Sequence, residues 1–358
     1  MTTVDPAPPA SPTPSAPSSP PAPPAPMRLR ELVFGAACAA AVRAAARLGV
    51  ADALDDSPRS AEDLAAAVKT RPHTLRRLLR ALTCQGVFEE RPDGTFVHTE
   101  MSRLLREDDP HSLRYIALWC TEPWTWSVWP QLDEAVRSGR NVFEDMYDRE
   151  FFSYLNEEAP ESAYVFNRAM TTSSEQSARD VANLLDLTGV SSVADIGGGQ
   201  GRVVASLLEK HPAMHGTLLD LPGVVENADP RLRDGGSLAA RVSIVAGDCR
   251  EDIPVQADVY IIKNILEWDD DSTRRALANV RKAARPGARV VVIENLVDDT
   301  PSMKFTTAMD LLLLLNVGGA KHTRQSMVDR LTEAGLVIGE IRPVNAYLHA
   351  FECTVPDN

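Results

Sequence analysis

Apolar residues in the first third of the chain recur at helical spacing. Residues 28–55 are alanine-rich with leucines and valines on most sides, which predicts helices buried nearly all round and packed against a second subunit. Residues 60–63 (SAED) resemble a capping box that opens a helix, and Pro72 suits the first turn of the next helix. That next helix turns four leucines inward, namely Leu75, Leu78, Leu79 and Leu82.

The stretch GVFEERPDGTFVHT then predicts a hairpin of two short strands around its PDG turn. Two helices followed by a hairpin have the outline of a winged helix, so residues 27–110 form the first predicted domain. A winged helix allows a DNA-binding interpretation, with Arg76, Arg77 and Arg80 on the recognition helix. The alternative is that these arginines form a solvated face of a scaffold domain.

After residue 185 the pattern changes to short apolar, β-branched runs separated by helical stretches. The runs SSVADI, HGTLLD, RVSIVAG, ADVYIIK and ARVVVIE predict a parallel sheet covered by helices on both faces. The last run, LVIGEIRPVNAYLHAFECTV, predicts an antiparallel pair at the sheet's edge. The fold class is therefore α/β for residues 186–358, and residues 111–185 are a predicted helical linker with substrate-side helices.

Composition narrows the choice of partners. The chain has 358 residues, of which 44% are hydrophobic, and its net charge is 37 minus 50, or −13, which argues against nucleic acid as the main partner. No apolar run is long enough to cross a membrane. The five cysteines are scattered and lack metal-ligand or disulfide-framework spacing, a pattern typical of a cytoplasmic protein without a zinc site.

The first 26 residues differ from the rest of the chain. They contain eleven prolines mixed with alanine, serine and threonine, and only one charged residue, Asp5. With so few bulky apolar groups this tail is predicted to be disordered. It also lacks the basic start and apolar core of a signal peptide.

A glycine-rich loop directly follows the first strand of the α/β region. It reads DIGGGQG from Asp195 to the last glycine, and Gly197, Gly199 and Gly201 let the backbone turn sharply and approach a ligand closely. The spacing is D-x-G-x-G-x-G, whereas a dinucleotide fingerprint would need its third glycine one residue later. Asp195 suits a ligand ammonium and would repel a pyrophosphate.

Two more carboxylates end the following strands. Asp220 lies where such a sheet places an acid on ribose hydroxyls, and Asp248 ends the next strand, near the expected adenine edge. Acids at three successive strand ends fit a ligand with ribose, adenine and positive charge but no phosphate. S-adenosyl-L-methionine has those parts.

The run DIGGGQGRVVASLLEKHPAMHGTLLDLP resembles the class I methyltransferases of the small-molecule O-methyltransferase family, found in plant phenolic and bacterial polyketide pathways. The winged-helix front resembles that family's dimerisation domain, FFSYLNEEAPESAYVFNRAM its linker helices, and MDLLLLLNVGGAKHT its substrate-side segment. The resemblance implies a Rossmann-like domain behind a dimerisation domain, a homodimer, and methylation of a small aromatic acceptor in antibiotic-type secondary metabolism.

The resemblance also assigns residues one position at a time. It implies that the loop glycines lie against the methionine part of the cofactor, Asp220 on ribose and Asp248 on adenine. It implies that Lys263 lies beside the cofactor and that Ser174 reaches its carboxylate. Phe166 and Met170 would line the acceptor site; the alternative is that they belong to the helix core. Asn316 would contact an acceptor hydroxyl.

The segment KNILEWDDDS departs from the family, which usually has a histidine base in L-H-D-W. Here the run is apparently one residue shorter, so either Leu266 or Glu267 takes the place of the histidine. The family's supporting glutamate in G-G-K-E-R-T is also replaced, by Lys321 in GGAKHT. Without a base, a phenol with a pKa near 10 is a poor nucleophile at neutral pH.

Three explanations stay open for the missing base. Glu267 is the base, or it is a solvated acid in the first turn of the helix that runs through Arg274. Lys321 or His322 stabilises a phenolate, or His322 itself accepts the proton. The third explanation is that proximity alone suffices.

The type of reaction and the identity of the acceptor also stay open. We expect O-methylation first, then carbon methylation of a phenolic ring or a non-methylating enzyme of the same fold; a ligand-sensing winged-helix regulator is the rival class. Aromatic residues before the cofactor region suit a flat acceptor or, equally, a helix–helix core. They are Tyr115, Trp119, Trp124, Trp126 and Trp129.

Overall fold

The computed structural model describes residues 23–301 and 303–357. The tail predicted to be disordered covers residues 1–26, and its first 22 residues lie outside the described part of the chain. The first helix begins at Ala25, inside the stretch assigned to the tail.

The N-terminal region has the predicted helix and hairpin order. Ser60 caps the fourth helix by accepting the Asp63 N–H at 3.1 Å, and Pro72 opens the fifth helix, as the sequence predicts. The two strands pair antiparallel. The elements are α1 Ala25–Val33, α2 Gly35–Leu48, α3 Val50–Ala53, α4 Ala61–Ala67, α5 Pro72–Thr83, β1 Phe88–Glu90, β2 Phe96–His98 and α6 Glu100–Arg103.

The first two helices are only partly buried within one copy of the chain. Helix α1 contains no buried residue, and Leu32 and Phe34 are 76% and 69% exposed. In α2 only Ala45 and Ala46, near its end, are buried. Ala41 and Val42 of α2 pack partly buried against the N-terminal core, whereas every residue of α1 is exposed in one copy, so packing of α1 against a second subunit stays a prediction.

Two arginines of the candidate recognition helix are paired with acids. Arg80 Nε lies 2.9 Å from Glu90 Oε2, and Arg76 Nη2 lies 3.0 Å from Glu62 Oε2. Arg77 is exposed. The positive charge of α5 is thus largely offset by glutamates of the same region.

Six α-helices of the described residues connect this region to the sheet, and one more follows the sheet's first strand. Their aromatic residues form one cluster in which Trp119 and Trp124 are buried, so for these two the helix-core alternative fits the structure. The longest helix, α12, carries Phe166, Met170 and Ser174. The helices are α7 Arg114–Trp119, α8 Pro123–Val128, α9 Leu132–Ser138, α10 Phe143–Tyr147, α11 Phe151–Glu157, α12 Pro160–Leu184 and, after the first strand of the sheet, α13 Arg202–Lys210.

The sheet has seven strands in the order β5-β4-β3-β6-β7-β9-β8. The first five are parallel and β9 runs antiparallel to both its neighbours, so both the parallel sheet and its antiparallel edge are confirmed. The strands are β3 Ser192–Ile196, β4 His215–Asp220, β5 Val242–Ala246, β6 Val259–Lys263, β7 Arg289–Glu294, β8 Val337–Pro343 and β9 His349–Thr354. The remaining helices are α14 Pro222–Val225, α15 Asp270–Ala283, α16 Met303–Val317 and α17 Arg324–Glu333.

The central strands are buried on both faces, which explains their continuous apolar runs. One core contains Tyr260 and Ile262 with α15 and α17, and the other contains Val259 and Ile261 with α12 and α13. Because the parallel strands end on the same side, the residues at their carboxyl ends meet at one edge of the sheet. That edge positions the candidate site.

Candidate functional site

The glycine loop combines tight packing with one open position. Gly197, Gly199 and Gly201 all have φ between +61° and +84°, which glycine adopts without steric cost. A Cβ on Gly201 would lie 2.5 Å from a Leu232 methyl, whereas a Cβ on Gly199 would meet nothing within 4 Å. The loop is therefore anchored at its end and open to a ligand at Gly199.

Asp220 and Asp248 lie at neighbouring strand ends but have different partners. Asp220 accepts the Gly199 N–H at 2.7 Å and its neighbour's N–H at 2.7 Å, and burial raises its pKa to about 6. Burial also acts on Asp248, but hydrogen bonds from Arg250 outweigh it and hold the pKa of Asp248 below its usual value. Arg250 lies over the Trp268 ring at 5.3 Å.

Asp195 lies beneath the loop and is fully buried. Its Oδ2 accepts the Val204 N–H at 3.2 Å, and Oδ1 has no described hydrogen-bond partner. Burial raises the pKa of Asp195 to about 7. A Cβ on Gly198 would lie 2.5 Å from the Asp195 carboxyl carbon, so this acid packs against the loop backbone.

Lys263 ends β6 and meets helix α12. Its Nζ donates to Ser174 Oγ at 3.3 Å, so the structure brings together two residues that are 89 positions apart. Burial lowers the pKa of Lys263, and the nearby acids Asp195, Glu294 and Glu267 oppose that shift.

Glu267 forms a buried ion pair with Lys321. Lys321 Nζ donates to Glu267 Oε1, and the two side chains are 9% and 12% exposed, respectively. The loop before Lys321 passes so close that a Cβ on Gly319 would lie 1.7 Å from the Glu267 carbonyl oxygen, so this position requires glycine. Glu267 precedes α15, which Asp269 caps. The reading of Glu267 as a solvated acid in the first turn of that helix is therefore wrong.

Glu294 is a further acid of this edge that the sequence reasoning did not single out. It ends β7, is 1% exposed, and accepts the Leu266 N–H through Oε1 at 3.2 Å. Burial, and next the charge of Glu267, raise the pKa of Glu294 well above its ordinary value. We call Lys263, Glu267, Glu294 and Lys321 the acid–lysine cluster. The signal in the sequence was a lone glutamate that ends the apolar run ARVVVIE.

His322 is buried behind this cluster. Its Nε2 lies 2.6 Å from the Leu266 carbonyl oxygen and therefore donates to it, while Nδ1 lies 3.5 Å from Ser326 Oγ. Burial lowers the pKa of His322. This arrangement fixes the loop that carries the imidazole.

The acceptor-side residues lie on two helices. Phe166 and Met170 are partly buried in the aromatic cluster, and the Phe166 ring lies 5.6 Å from that of Trp119. Asn316 on α16 is 5% exposed, and its Oδ1 has no described donor. It lines a cavity of about 320 Å³ together with Trp268 and Arg250, which places it beside the edge of the sheet.

In residues 23–301 and 303–357, no group of three or more histidine, cysteine, aspartate or glutamate residues could hold a metal ion. No described helix is long and apolar enough to cross a membrane.

Comparisons with known proteins agree with this geometry. A family model described as an O-methyltransferase domain matches residues 129–337, and a second, described as an O-methyltransferase dimerisation domain, matches residues 30–108. The mitomycin biosynthesis 6-O-methyltransferase of Streptomyces lavendulae is 38% identical over 320 residues, which cover 89% of this chain and 91% of that protein.

Solved structures give the same picture. The mitomycin 7-O-methyltransferase MmcR superposes with a TM-score of 0.84 at 37% identity, covering 92% of this chain and 98% of that one. CalO1, a methyltransferase in calicheamicin biosynthesis solved in its SAH-bound form, has a TM-score of 0.79 at 32% identity, with coverage of 92% and 98%.

Proposed function

The chain belongs to the O-methyltransferase family, and we propose that it methylates an oxygen of a small aromatic acceptor in antibiotic-type biosynthesis. It is a methyltransferase that uses S-adenosyl-L-methionine. The single observation that carries the assignment of the site is the open position at Gly199, directly beside the Asp220 carboxylate at the carboxyl edge of the sheet.

The residues at this edge fit the cofactor. The open position at Gly199 leaves room for the methionine part, and Asp220, which two backbone N–H groups hold in place, would accept from ribose hydroxyls. Asp248 would accept from the adenine amino group, and Lys263 with Ser174 would bind the cofactor's carboxylate. The bound cofactor supplies an electrophilic methyl group on a sulfonium.

Glu267 is the proposed base. It would take the proton of the acceptor hydroxyl, and the oxygen would then attack the methyl carbon while the electron pair of the methyl–sulfur bond stays on sulfur. Lys321 would stabilise the negative charge that moves between the acceptor and Glu267. His322 is proposed to hold its loop in place, since Nε2 is already bonded to a backbone carbonyl.

The acceptor would lie between α12 and α16. Phe166 and Met170 would form one wall against its ring, and Asn316 Oδ1, which lacks a described donor, would accept from an acceptor hydroxyl. Two relatives at 30% identity are named for aromatic acceptors, 3-amino-4-hydroxybenzoate and 2,7-dihydroxy-5-methyl-1-naphthoate, which supports this class of acceptor.

The experiment is incubation with methyl-labelled cofactor and a panel of catechol, 1-naphthol, 4-hydroxybenzoate, tyrosine and 1,4-dihydroxy-2-naphthoic acid. Mass spectrometry would detect product, and NMR would locate the methyl group. A methyl ether supports the proposal. A methyl group on a ring carbon, or cofactor consumption without methylation, would replace it with the corresponding alternative chemistry.

A homodimer is the proposed assembly. The dimerisation-domain match covers most of the N-terminal region, and the exposed apolar side chains of α1 offer a surface that a second copy would bury. Phe34→Asp should convert the dimer to a monomer in light scattering. An unchanged mass would exclude Phe34, which directly follows α1, from the interface.

We also propose a cytoplasmic location and no nucleic-acid partner. All five cysteines are free thiols, as expected in a reducing compartment. Arg76 and Arg80 are paired with glutamates, which supports a scaffold role for α5. A gel shift with random DNA at low salt would overturn the second proposal.

A further inference from the structure

A side-chain hydrogen bond ties helix α12 to the glycine loop, and the proposed function gives it no task. Thr171 Oγ1 donates to Gln200 Oε1 at 2.9 Å, across 29 positions of the sequence. Thr171 is buried, and Gln200 lies between Gly199, the open position of the loop, and Gly201, its anchored end. The bond therefore joins the cofactor region to the helix that carries the acceptor-side residues.

The backbone of Gln200 is held by a buried group of ion pairs. Its carbonyl oxygen accepts the Asp229 N–H at 2.8 Å. Asp229 is 2% exposed, and its carboxylate pairs with Arg202 at 2.8 Å and with Arg231 at 2.6 Å. Because breaking a buried ion pair is costly, Gln200 presents its side chain from a fixed backbone position. The hydrogen bond thus sets the position of α12 relative to the loop.

The segment of α12 that makes this bond also carries the acceptor wall. Phe166, Met170 and Ser174 follow one another at intervals of four residues and therefore form one stripe along the helix. Thr171 flanks that stripe, directly after Met170 and three residues before Ser174, whose Oγ accepts from Lys263 Nζ at 3.3 Å. Since a helix turn moves as a unit, a shift of Thr171 would also shift the acceptor wall.

We propose that the Thr171–Gln200 hydrogen bond transmits occupancy of the glycine loop to the acceptor wall, so that a loop ordered by its ligand holds α12 in the position that receives the acceptor. The inference rests on the proposed placement of the acceptor against Phe166 and Met170. Thr171 and Gln200 act through α12 and are therefore positioning residues. Because the first ligand completes the ordering of α12, the second ligand binds more tightly.

Amide hydrogen exchange followed by mass spectrometry tests this link without an acceptor. In the wild type, saturating S-adenosylhomocysteine should slow exchange about tenfold in residues 160–171, the part of α12 before Ser174. Thr171→Val keeps the β-branched shape but lacks the hydroxyl, so this slowing should be lost while that in the glycine loop remains. Thr171→Ser keeps the donor and should respond as the wild type does.

Thr172→Val is the matched control. Thr172 Oγ1 donates to the Arg168 carbonyl oxygen at 2.9 Å, within the same helix. This variant removes the same kind of hydroxyl from the next residue and should keep the full response to S-adenosylhomocysteine. If Thr171→Val responds as Thr172→Val does, the link is excluded. Loss of the response in both variants would also overturn the inference, because it would reflect a general effect of hydroxyl loss on α12.

Gln200→Leu removes the acceptor of the bond and keeps the test valid if Thr171→Val fails to fold. It should lose the slowing in residues 160–171 while S-adenosylhomocysteine still protects the glycine loop. Adding Thr171→Val to Gln200→Leu should have no further effect, since both variants remove the same bond. A full response in folded Gln200→Leu would overturn the inference.

Calorimetric titration of the fastest acceptor of the panel, with and without saturating S-adenosylhomocysteine, measures the coupling itself. Affinity should rise about tenfold with S-adenosylhomocysteine in the wild type and in Thr171→Ser, but less than about twofold in Thr171→Val. An equal rise in Thr171→Val would overturn the inference. A panel without a methyl ether would count against the proposed function alone, because the exchange experiment needs only S-adenosylhomocysteine. Absence of slowing in wild-type α12 would overturn the inference and leave O-methylation standing.

Discussion

Two regions of the same sheet edge contain buried carboxylates, but the groups that pair with those carboxylates differ. In the cofactor region, both oxygens of Asp220 accept backbone N–H groups, from Gly199 and from the following residue. In the acid–lysine cluster, the charges come from three segments, namely the end of β6 with the loop after it, the end of β7 and the loop before α17, and Glu294 Oε2 has no described donor. A carboxylate held by backbone N–H groups is suited to binding a ligand, whereas a cluster of incompletely paired charges is suited to proton transfer.

The contrast explains why a departure from the family pattern leaves the cofactor region untouched. Leu266, Glu267 and Lys321 stand where the family usually has histidine and glutamate, yet the glycine loop and the strand-end acids are all present. In place of the family's histidine base and its supporting glutamate, this chain has an acid, Glu267, paired with Lys321. Binding of the cofactor and activation of the acceptor can therefore change independently.

Glu267→Gln is the largest expected disruption and affects the second region only. Loss of a general base lowers kcat by about 10²–10⁴-fold, while affinity for S-adenosylhomocysteine should stay near wild type. Rates on the fastest phenolic acceptor, measured from pH 6 to pH 9 beside a thermal unfolding control, check this. Unchanged turnover across that range would remove Glu267 from the mechanism.

Sequence reasoning succeeded best where the signal is local. The strand-end acids and the glycine loop could be placed because a parallel sheet brings its carboxyl ends to one edge. The cluster was harder, since Lys321 reaches Glu267 from 54 positions away through a close backbone approach at Gly319. The apolar pattern of α1 predicted packing against a second subunit, and one copy of the chain leaves that helix exposed.

Lys321→Met should have a nearly equal effect, but on the free energy of unfolding. It leaves Glu267 buried without its counter-charge, and breaking a buried ion pair from one side costs about 3–5 kcal/mol. Urea unfolding measures the loss. The matched control is Lys282→Met, which removes an exposed pair with Asp252 and should change stability by less than about 0.5 kcal/mol.

The double variant E267Q/K321M tests whether the two side chains are paired. With neither charge left in the buried site, stability should recover most of what each single variant loses, giving a strong coupling energy. Additive losses would mean that the two side chains are not paired in solution.

Asp220→Ala should weaken binding of S-adenosylhomocysteine about 100-fold, because the carboxylate that would accept hydrogen bonds from the two ribose hydroxyls is removed. Asp234→Ala, in the exposed loop between α14 and β5, serves as the control and should bind normally. Calorimetry measures both. Full binding by Asp220→Ala would show that the ribose position is assigned to the wrong residue.

Asp195→Asn has the smallest expected effect and is visible only as a function of pH. Burial raises the pKa of Asp195 to about 7, so its stabilising contribution is complete only below its unfolded-state pKa, near 3.9, and is lost as the pH rises through 7. Asparagine can still accept the Val204 N–H and does not ionise. Relative to the wild type, the variant should therefore gain about 2 kcal/mol of unfolding free energy between pH 5 and pH 8.

Asp258→Asn, at the other end of the sheet, should change the unfolding free energy with pH in the opposite direction. Hydrogen bonds, first that from the Ser191 hydroxyl, hold the pKa of Asp258 below its usual value, so its contribution is present at neutral pH and is lost as the pH falls. This variant should be less stable than the wild type at pH 8, and the deficit should shrink toward acidic pH. Parallel urea titrations of both variants decide the matter: if the Asp195 variant shows the same slope as the Asp258 variant, the acid beneath the glycine loop is ionised in the folded protein, and burial does not control its charge.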